Sequence, residues 1–132
     1  MELPKDKIRL LGKPYFTPDF LQAFIAMIEG RAPNPDKYFF QVIQKENRPT
    51  MEFGCIAGQI LLDVTASTEK TEIIVVKVSS VTSIIWIEEQ NSTQLHALSP
   101  TQTGLSYTTV IEDSRKELKE YAEYLQMNMF GR

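Results

Sequence analysis

The alternation of hydrophobic and polar residues divides the chain into a helical beginning, a long β region and a helical end. In residues 17–30 the apolar side chains recur every three to four positions and fall on one broad face of a helix. Thr17 can cap the first free amides of this helix, and Gly30 stands where a left-handed C-terminal cap would lie. The pattern predicts a helix over residues 17–30, after a partly extended segment at residues 1–16.

Residues 38–111 carry short apolar or alternating runs rich in Val, Ile, Thr, Phe and Tyr, and polar turn residues separate these runs. The runs predict seven strands, at residues 38–44, 51–56, 59–65, 72–78, 82–88, 94–98 and 105–111. The connections between them are short, as is typical of antiparallel neighbours. We therefore expect a mainly antiparallel sheet.

A second helix is predicted over residues 114–129. Ser114 and Glu117 have the spacing of a capping box at its start. One apolar stripe follows the helical period, formed by Leu118, Tyr121, Ala122, Leu125 and Met129. Together with the strands, the two helices predict an α+β fold, and the lack of a linker or an internal repeat predicts one domain over residues 1–132.

Seven short antiparallel strands followed by one amphipathic helix resemble the pleckstrin-homology-like superfamily. The most similar local passage is residues 76–84, VKVSSVTSI, where a serine-containing turn lies between two strands. The resemblance covers residues 38–129. It implies a seven-stranded bent sheet or split barrel with a C-terminal capping helix, to which the N-terminal helix is added.

A second family is similar to part of the chain. A helix followed by five strands, with Gly58-Gln59-Ile60 in the second or third strand, is similar to the Sm-like RNA-binding barrel. That similarity ends near Ile87 and leaves two strands and a helix outside it. An Sm-like RNA binder is therefore a third hypothesis.

Composition and charge narrow the classes of function. The chain has 132 residues and a net charge of −3, which argues against broad affinity for nucleic acid or anionic lipid. Cys55 is the only cysteine, so neither an intramolecular disulfide nor a cysteine-rich zinc site can form. The apolar runs are far shorter than the roughly 20 residues that span a bilayer, and no secretory signal is recognised. We expect a cytoplasmic protein without a transmembrane segment.

No catalytic residue, metal site or cofactor is predicted. His96 lies in an apolar run, and no motif links it to a serine, cysteine or carboxylate. Asp63 and the pairs Glu88-Glu89 and Glu112-Asp113 have no metal-binding spacing, and we interpret them as solvated charges. A small enzyme that uses His96 shares the third place among the hypotheses.

Two groups of residues are candidate binding sites. Lys45 and Arg48 in the first hairpin, with Lys77 further on, would contact a small ligand or a lipid headgroup, although glutamates are interspersed among them. Trp86, the only tryptophan, and Phe130, which lies off the apolar stripe of the last helix, are candidates for apolar contacts. The leading hypothesis is a non-enzymatic intracellular binding or scaffolding module that uses a protein partner or self-association. The alternative is a small-ligand or lipid-headgroup domain.

Overall fold

The computed structural model describes residues 1–130, and Phe130 is described by its backbone alone. The helices are α1 (Lys5–Gly12), α2 (Pro18–Glu29) and α3 (Glu112–Phe130). The strands are β1 (Lys37–Lys45), β2 (Arg48–Ala57), β3 (Ile60–Ala66), β4 (Thr71–Lys77), β5 (Ser83–Glu88), β6 (Thr93–Leu98) and β7 (Leu105–Thr109). The predicted α+β class is confirmed.

The strands form two open antiparallel sheets. The first sheet has the order β1-β2-β3-β4 and the second has the order β5-β6-β7. The expectation of a seven-stranded bent sheet or split barrel is met only in its antiparallel strands: a single sheet is not confirmed, and residues 1–130 form no closed barrel. The chain between β4 and β5 makes a short 3-10 turn at Val78–Ser80, after which β5 pairs with β6 and not with β4. The five strands compared with the Sm-like barrel are therefore divided between two sheets, with β5 in the second.

Both faces of the first sheet are buried, each by a different layer of the molecule. Neighbouring residues of a strand point to opposite faces, so they enter different clusters. Phe40 packs on one side, against a cluster that α1 and α2 contribute with Ile8, Phe24 and Ile25. Phe39 packs on the other side, in a cluster shared with the second sheet and α3. The molecule thus has a helical layer, a sheet, and a third layer made of the second sheet and α3.

The helical layer differs from its prediction in two places. Residues 1–16, expected to be partly extended, contain α1, which buries Ile8. Charged residues make up half of this short helix, so the sequence showed no recurring apolar pattern from which to predict it. Thr17 caps α2 as predicted, because its side chain accepts a hydrogen bond from the Phe20 amide at 3.1 Å. Gly30, however, has right-handed helical angles and is not a left-handed cap.

The β1–β2 hairpin closes through a two-residue turn. Glu46 and Asn47 have φ angles of 55° and 64°, and Lys45 pairs directly with Arg48. Two successive positive φ values give the backbone twist that matches an antiparallel hairpin. The turn brings Lys45 and Arg48 to the same end of the sheet.

Glu117 joins three elements of the fold. Its Oε1 accepts a hydrogen bond from the backbone amide of Phe40 at 2.7 Å, and its Oε2 forms an ion pair with Lys7. The predicted capping box of Ser114 and Glu117 is wrong, because α3 begins at Glu112 and the Glu117 carboxylate binds the free edge of β1 instead. The carboxylate thereby connects α3 to β1 and to α1.

None of the helices within residues 1–130 combines the length and the apolar character that a bilayer-spanning helix requires.

We predict that Glu117→Ala lowers the free energy of unfolding by about 2–3 kcal/mol, since the Phe40 amide loses a charged acceptor. Lys7→Ala removes a partly exposed ion pair and should cost less than about 1 kcal/mol. Urea unfolding measures both changes, and Glu120→Ala, an exposed glutamate on α3, is the control. Equal losses for Glu117→Ala and Glu120→Ala would contradict the role of Glu117.

Candidate functional site

A cleft lies at the end of the first sheet where the β1–β2 and β3–β4 turns meet. Its volume is about 340 Å³. Polar and charged side chains line it, namely Lys45, Glu46, Arg48, Thr50, Thr65, Ser67, Glu69, Lys70 and Glu72. The hairpin turn brings two predicted site residues, Lys45 and Arg48, together in this cleft, which we call the polar cleft.

The cations of the polar cleft are paired with carboxylates. Arg48 forms an ion pair with Glu69, and Lys70 Nζ lies 3.5 Å from Glu72 Oε2. Lys45 Nζ lies 4.0 Å from Oε2 of Glu52, which is buried behind the cleft. Three cations and three carboxylates line the cleft, so it carries no net charge and does not concentrate positive potential for a phosphate group.

The other predicted site residues lie elsewhere. Lys77 is at the opposite end of β4, where its backbone amide donates to Gln102 Oε1 at 2.8 Å. Trp86 is half-buried on the inner face of the second sheet and packs against the core there. The side chain of Phe130 lies outside the described part of the chain. The sequence-predicted site residues therefore do not form one site.

A buried polar cluster lies between the two sheets, and the sequence analysis missed it. It consists of Gln41, Glu52, Asp63 and Tyr107, and we call it the interior polar cluster. Gln41 Nε2 donates to Glu52 Oε1 at 2.8 Å and to the carbonyl oxygen of Thr108 at 2.9 Å. The second of these bonds connects the first sheet to β7.

Burial raises the pKa values of both carboxyl groups in this cluster. The pKa of Asp63 rises to about 6, mainly through desolvation; the nearby Tyr107 hydroxyl opposes the rise and the charge of Glu52 adds to it. The pKa of Glu52 is also raised by burial, while Gln41 and Lys45 act in the opposite direction. The interpretation of Asp63 as a solvated charge is wrong, because it occupies an inward position of β3.

Two polar atoms of the cluster are buried and have no hydrogen-bond partner among the described residues. They are Gln41 Oε1 and the Tyr107 hydroxyl. The hydroxyl packs over Gly54, where an added Cβ would overlap it. Gly54 lies directly opposite Asp63 in the sheet. A glycine at this position lets the two sheets approach each other closely.

Cys55, the potential nucleophile, and His96, the potential base, both lie outside any arrangement of groups that would activate them. The Cys55 thiol is buried, and its pKa is raised to about 12 by burial and by the charge of Asp36, so it stays protonated at neutral pH. His96 is on the outer face of the second sheet, where Nδ1 lies 2.8 Å from Ser106 Oγ and Nε2 lies 2.9 Å from Gln94 Oε1. It therefore faces away from the buried Asp63.

The outer face of the second sheet carries exposed apolar side chains among uncharged polar ones. Ile85, Ile87 and Leu98 are exposed on it, beside His96. The residues of this face between Ser83 and Thr108 carry no formal charge when His96 is neutral. We call this surface the outer face.

The described residues contain no group of three or more histidine, cysteine or carboxylate side chains arranged to hold a metal ion. Comparisons with protein-family models, with curated proteins and with solved structures gave no match.

We predict that Asp63→Asn stabilises the protein at neutral pH. The folded state binds the Asp63 proton more tightly than the unfolded chain, so the stability due to that proton is complete below about pH 3.8 and is lost as the pH rises through about 6. The variant should gain up to about 3 kcal/mol in the free energy of unfolding at pH 7. That gain should disappear near pH 4.

Urea unfolding of the wild type and of Asp63→Asn across pH 4–7 measures this difference. Glu123→Gln on the exposed side of α3 is the control and should give no such dependence on pH. A less stable Asp63→Asn variant at pH 7 would mean that favourable contacts hold the ionised carboxylate.

Proposed function

We propose that this protein is a non-enzymatic binding module of pleckstrin-homology-like architecture that acts through protein–protein contacts. The partner contributes an extended, uncharged and apolar segment, which adds as a strand to β5 and covers part of the outer face. The observation that carries the proposal is the coincidence of an unpaired strand edge with an exposed apolar sheet face.

The arrangement of the elements supports the pleckstrin-homology-like architecture. A four-stranded and a three-stranded antiparallel sheet are followed by a C-terminal helix, as in the resemblance stated for residues 38–129. The apolar stripe of α3 packs into the core between the sheets through Leu118, Tyr121 and Leu125. The α1–α2 layer is an addition on the far side of the first sheet.

The surface of the second sheet supports a protein partner. Ile85 exposes 43% of its surface, and Ile87 and Leu98 are exposed next to it. Desolvating these side chains stabilises a complex, at about 25 cal/mol for each Å² of apolar surface buried. An uncharged face also buries no unpaired charge when a partner covers it. An extended apolar strand therefore fits both the edge and the face.

The alternative functions have less support. A lipid headgroup in the polar cleft would compete with the carboxylates that pair with Arg48, Lys70 and Lys45. An enzyme based on His96 would need a carboxylate to orient the ring and a cleft to hold a substrate; His96 instead lies on an open sheet face, where its ring nitrogens contact Ser106 and the amide oxygen of Gln94. Protein binding through β5 remains the function that the geometry supports best.

We predict that a photo-cross-linking amino acid at position 87 links to a protein through a short extended segment, which mass spectrometry of the cross-linked peptides identifies. The same amino acid at Leu10, an exposed apolar position on α1, is the matched control and should give no such product. Ile85→Lys should abolish the product at position 87, because a lysine would place a charge in the apolar contact.

Vesicles test the lipid alternative with the same protein. We expect vesicles of phosphatidylcholine that contain about 5 mol% phosphoinositide to bind no more protein than vesicles of phosphatidylcholine alone. Binding that requires Lys45 and Arg48, falls steeply with salt and leaves position 87 without cross-links would replace our proposal with headgroup recognition.

A further inference from the structure

The two open sheets have four edge strands, β1, β4, β5 and β7. Within the described part of the chain, these edges differ in how many of their backbone groups are bound by other residues. We call a backbone group outward when it points away from the neighbouring strand of its own sheet. At β1 the outward amide of Phe40 is bound by Glu117 of α3. At β7 the outward carbonyl of Thr108 is bound by the Gln41 side chain. Each of these two edges therefore has at least one outward group bound by another part of the molecule.

The edges at β4 and β5 differ in their protection. The outward amide of Lys77 in β4 donates to Gln102, and Glu72 and Lys77 place charges along that strand. Charges on an edge strand oppose pairing with another strand. The other edge strand, β5, pairs with β6 alone within residues 1–130; Ser83 to Ile87 contain neither charge nor proline, and Glu88 at the end is its one charged residue. Its edge is the least protected of the four.

The outward groups of β5 can be assigned from its hairpin. The Glu89 amide donates to the Ser92 carbonyl, so the odd-numbered residues of β5 bond to β6. The amides and carbonyls of Ile84, Trp86 and Glu88 consequently point away from β6. They form a row of free donors and acceptors at the edge.

We propose that the strand added at β5 is the β5 of a second copy of this chain, antiparallel and centred on Trp86, which makes one six-stranded sheet across a dimer. This inference rests on the proposed function and names its partner. A twofold axis perpendicular to the sheet keeps each residue on its own face, and the residue at the axis lies opposite its own copy. A centre at Trp86 pairs all three outward residues, Ile84, Trp86 and Glu88, and so gives the most backbone hydrogen bonds.

The pairing that results is chemically self-complementary. Ile85 lies opposite the partner's Ile87, and Ile84 lies opposite the partner's Glu88. About six backbone hydrogen bonds would form, four isoleucines would meet on the outer face, and no like charges would be opposed. The chain has a net charge of −3, so an uncharged edge is also where two copies repel each other least. Charge and register both favour a second copy as the occupant.

Sedimentation equilibrium over a concentration series tests the dimer directly. Wild-type protein should show a monomer–dimer equilibrium, and Ile85→Lys or Ile87→Lys should raise the dimer dissociation constant at least about tenfold, because each substitution occurs twice at a twofold interface. Val75→Lys on the edge of β4, where Val75 is 51% exposed, is the matched control and should leave the equilibrium unchanged. Circular dichroism confirms that each variant is folded.

Disulfide cross-linking tests the register. Chains with Ile85→Cys mixed with chains with Ile87→Cys should give a cross-linked heterodimer under mild oxidation, since directly opposed non-hydrogen-bonded pairs have Cα atoms about 4.5 Å apart. Either chain alone should cross-link poorly. The native Cys55 is buried and should not interfere.

Three results would overturn the inference. They are a monomer at all concentrations, a dimer that Val75→Lys disrupts while Ile85→Lys does not, and equal cross-linking of single and mixed cysteine chains. If the protein is monomeric but position 87 still cross-links to a different protein, the proposed function stands and the second copy is excluded. If position 87 links to nothing and no dimer forms, both proposals fail.

Discussion

Every open β-sheet has two edges whose backbone amides and carbonyls need partners, and this constraint explains much of the molecule. Without water or another strand, such groups destabilise the folded state. In the described chain, a helix carboxylate covers one edge at Phe40, an amide side chain covers another at Thr108, and Gln102 covers the end of a third. The remaining edge, β5, adjoins the apolar outer face. Intermolecular pairing at β5 would satisfy the same constraint that α3 satisfies at β1.

Covering the β7 edge has a consequence for the interior. Gln41 reaches Thr108 only by lying between the sheets, where Glu52 accepts its second hydrogen bond. Asp63 and Tyr107 lie in the same layer, next to Gly54. Replacement of a buried carboxylate often increases stability, and proteins retain such groups where they fix a particular arrangement. The interior polar cluster fixes the second sheet against the first at the cost of a carboxyl group with a raised pKa.

The sequence was enough to predict the local helices and strands, but it did not predict which elements pack or pair with each other over long distances in the chain. Helix α2 and the seven strands follow from period and capping, because those signals act within a few residues. The two-sheet division, the edge contact of Glu117 and the polar cleft depend on residues far apart in the chain. A signal for the interior polar cluster was present, since Gln41, Glu52 and Asp63 each interrupt an apolar strand. The alternating pattern could not reveal that their inward faces meet. The alternation along β5 places Trp86 and Ile85 on opposite faces, whereas the unpaired edge beside them required the topology.

Amide hydrogen exchange in β5, measured by nuclear magnetic resonance at low and high protein concentration, tests the central claim most directly. In dilute protein the outward amides of Ile84, Trp86 and Glu88 should exchange fast, while those of Ile85 and Ile87 are protected by β6. At high concentration the three outward amides should become protected, and Phe40, already bound by Glu117, should not change. Outward amides that stay unprotected when the protein is concentrated, or that are already protected while the protein is monomeric, would contradict strand pairing at β5.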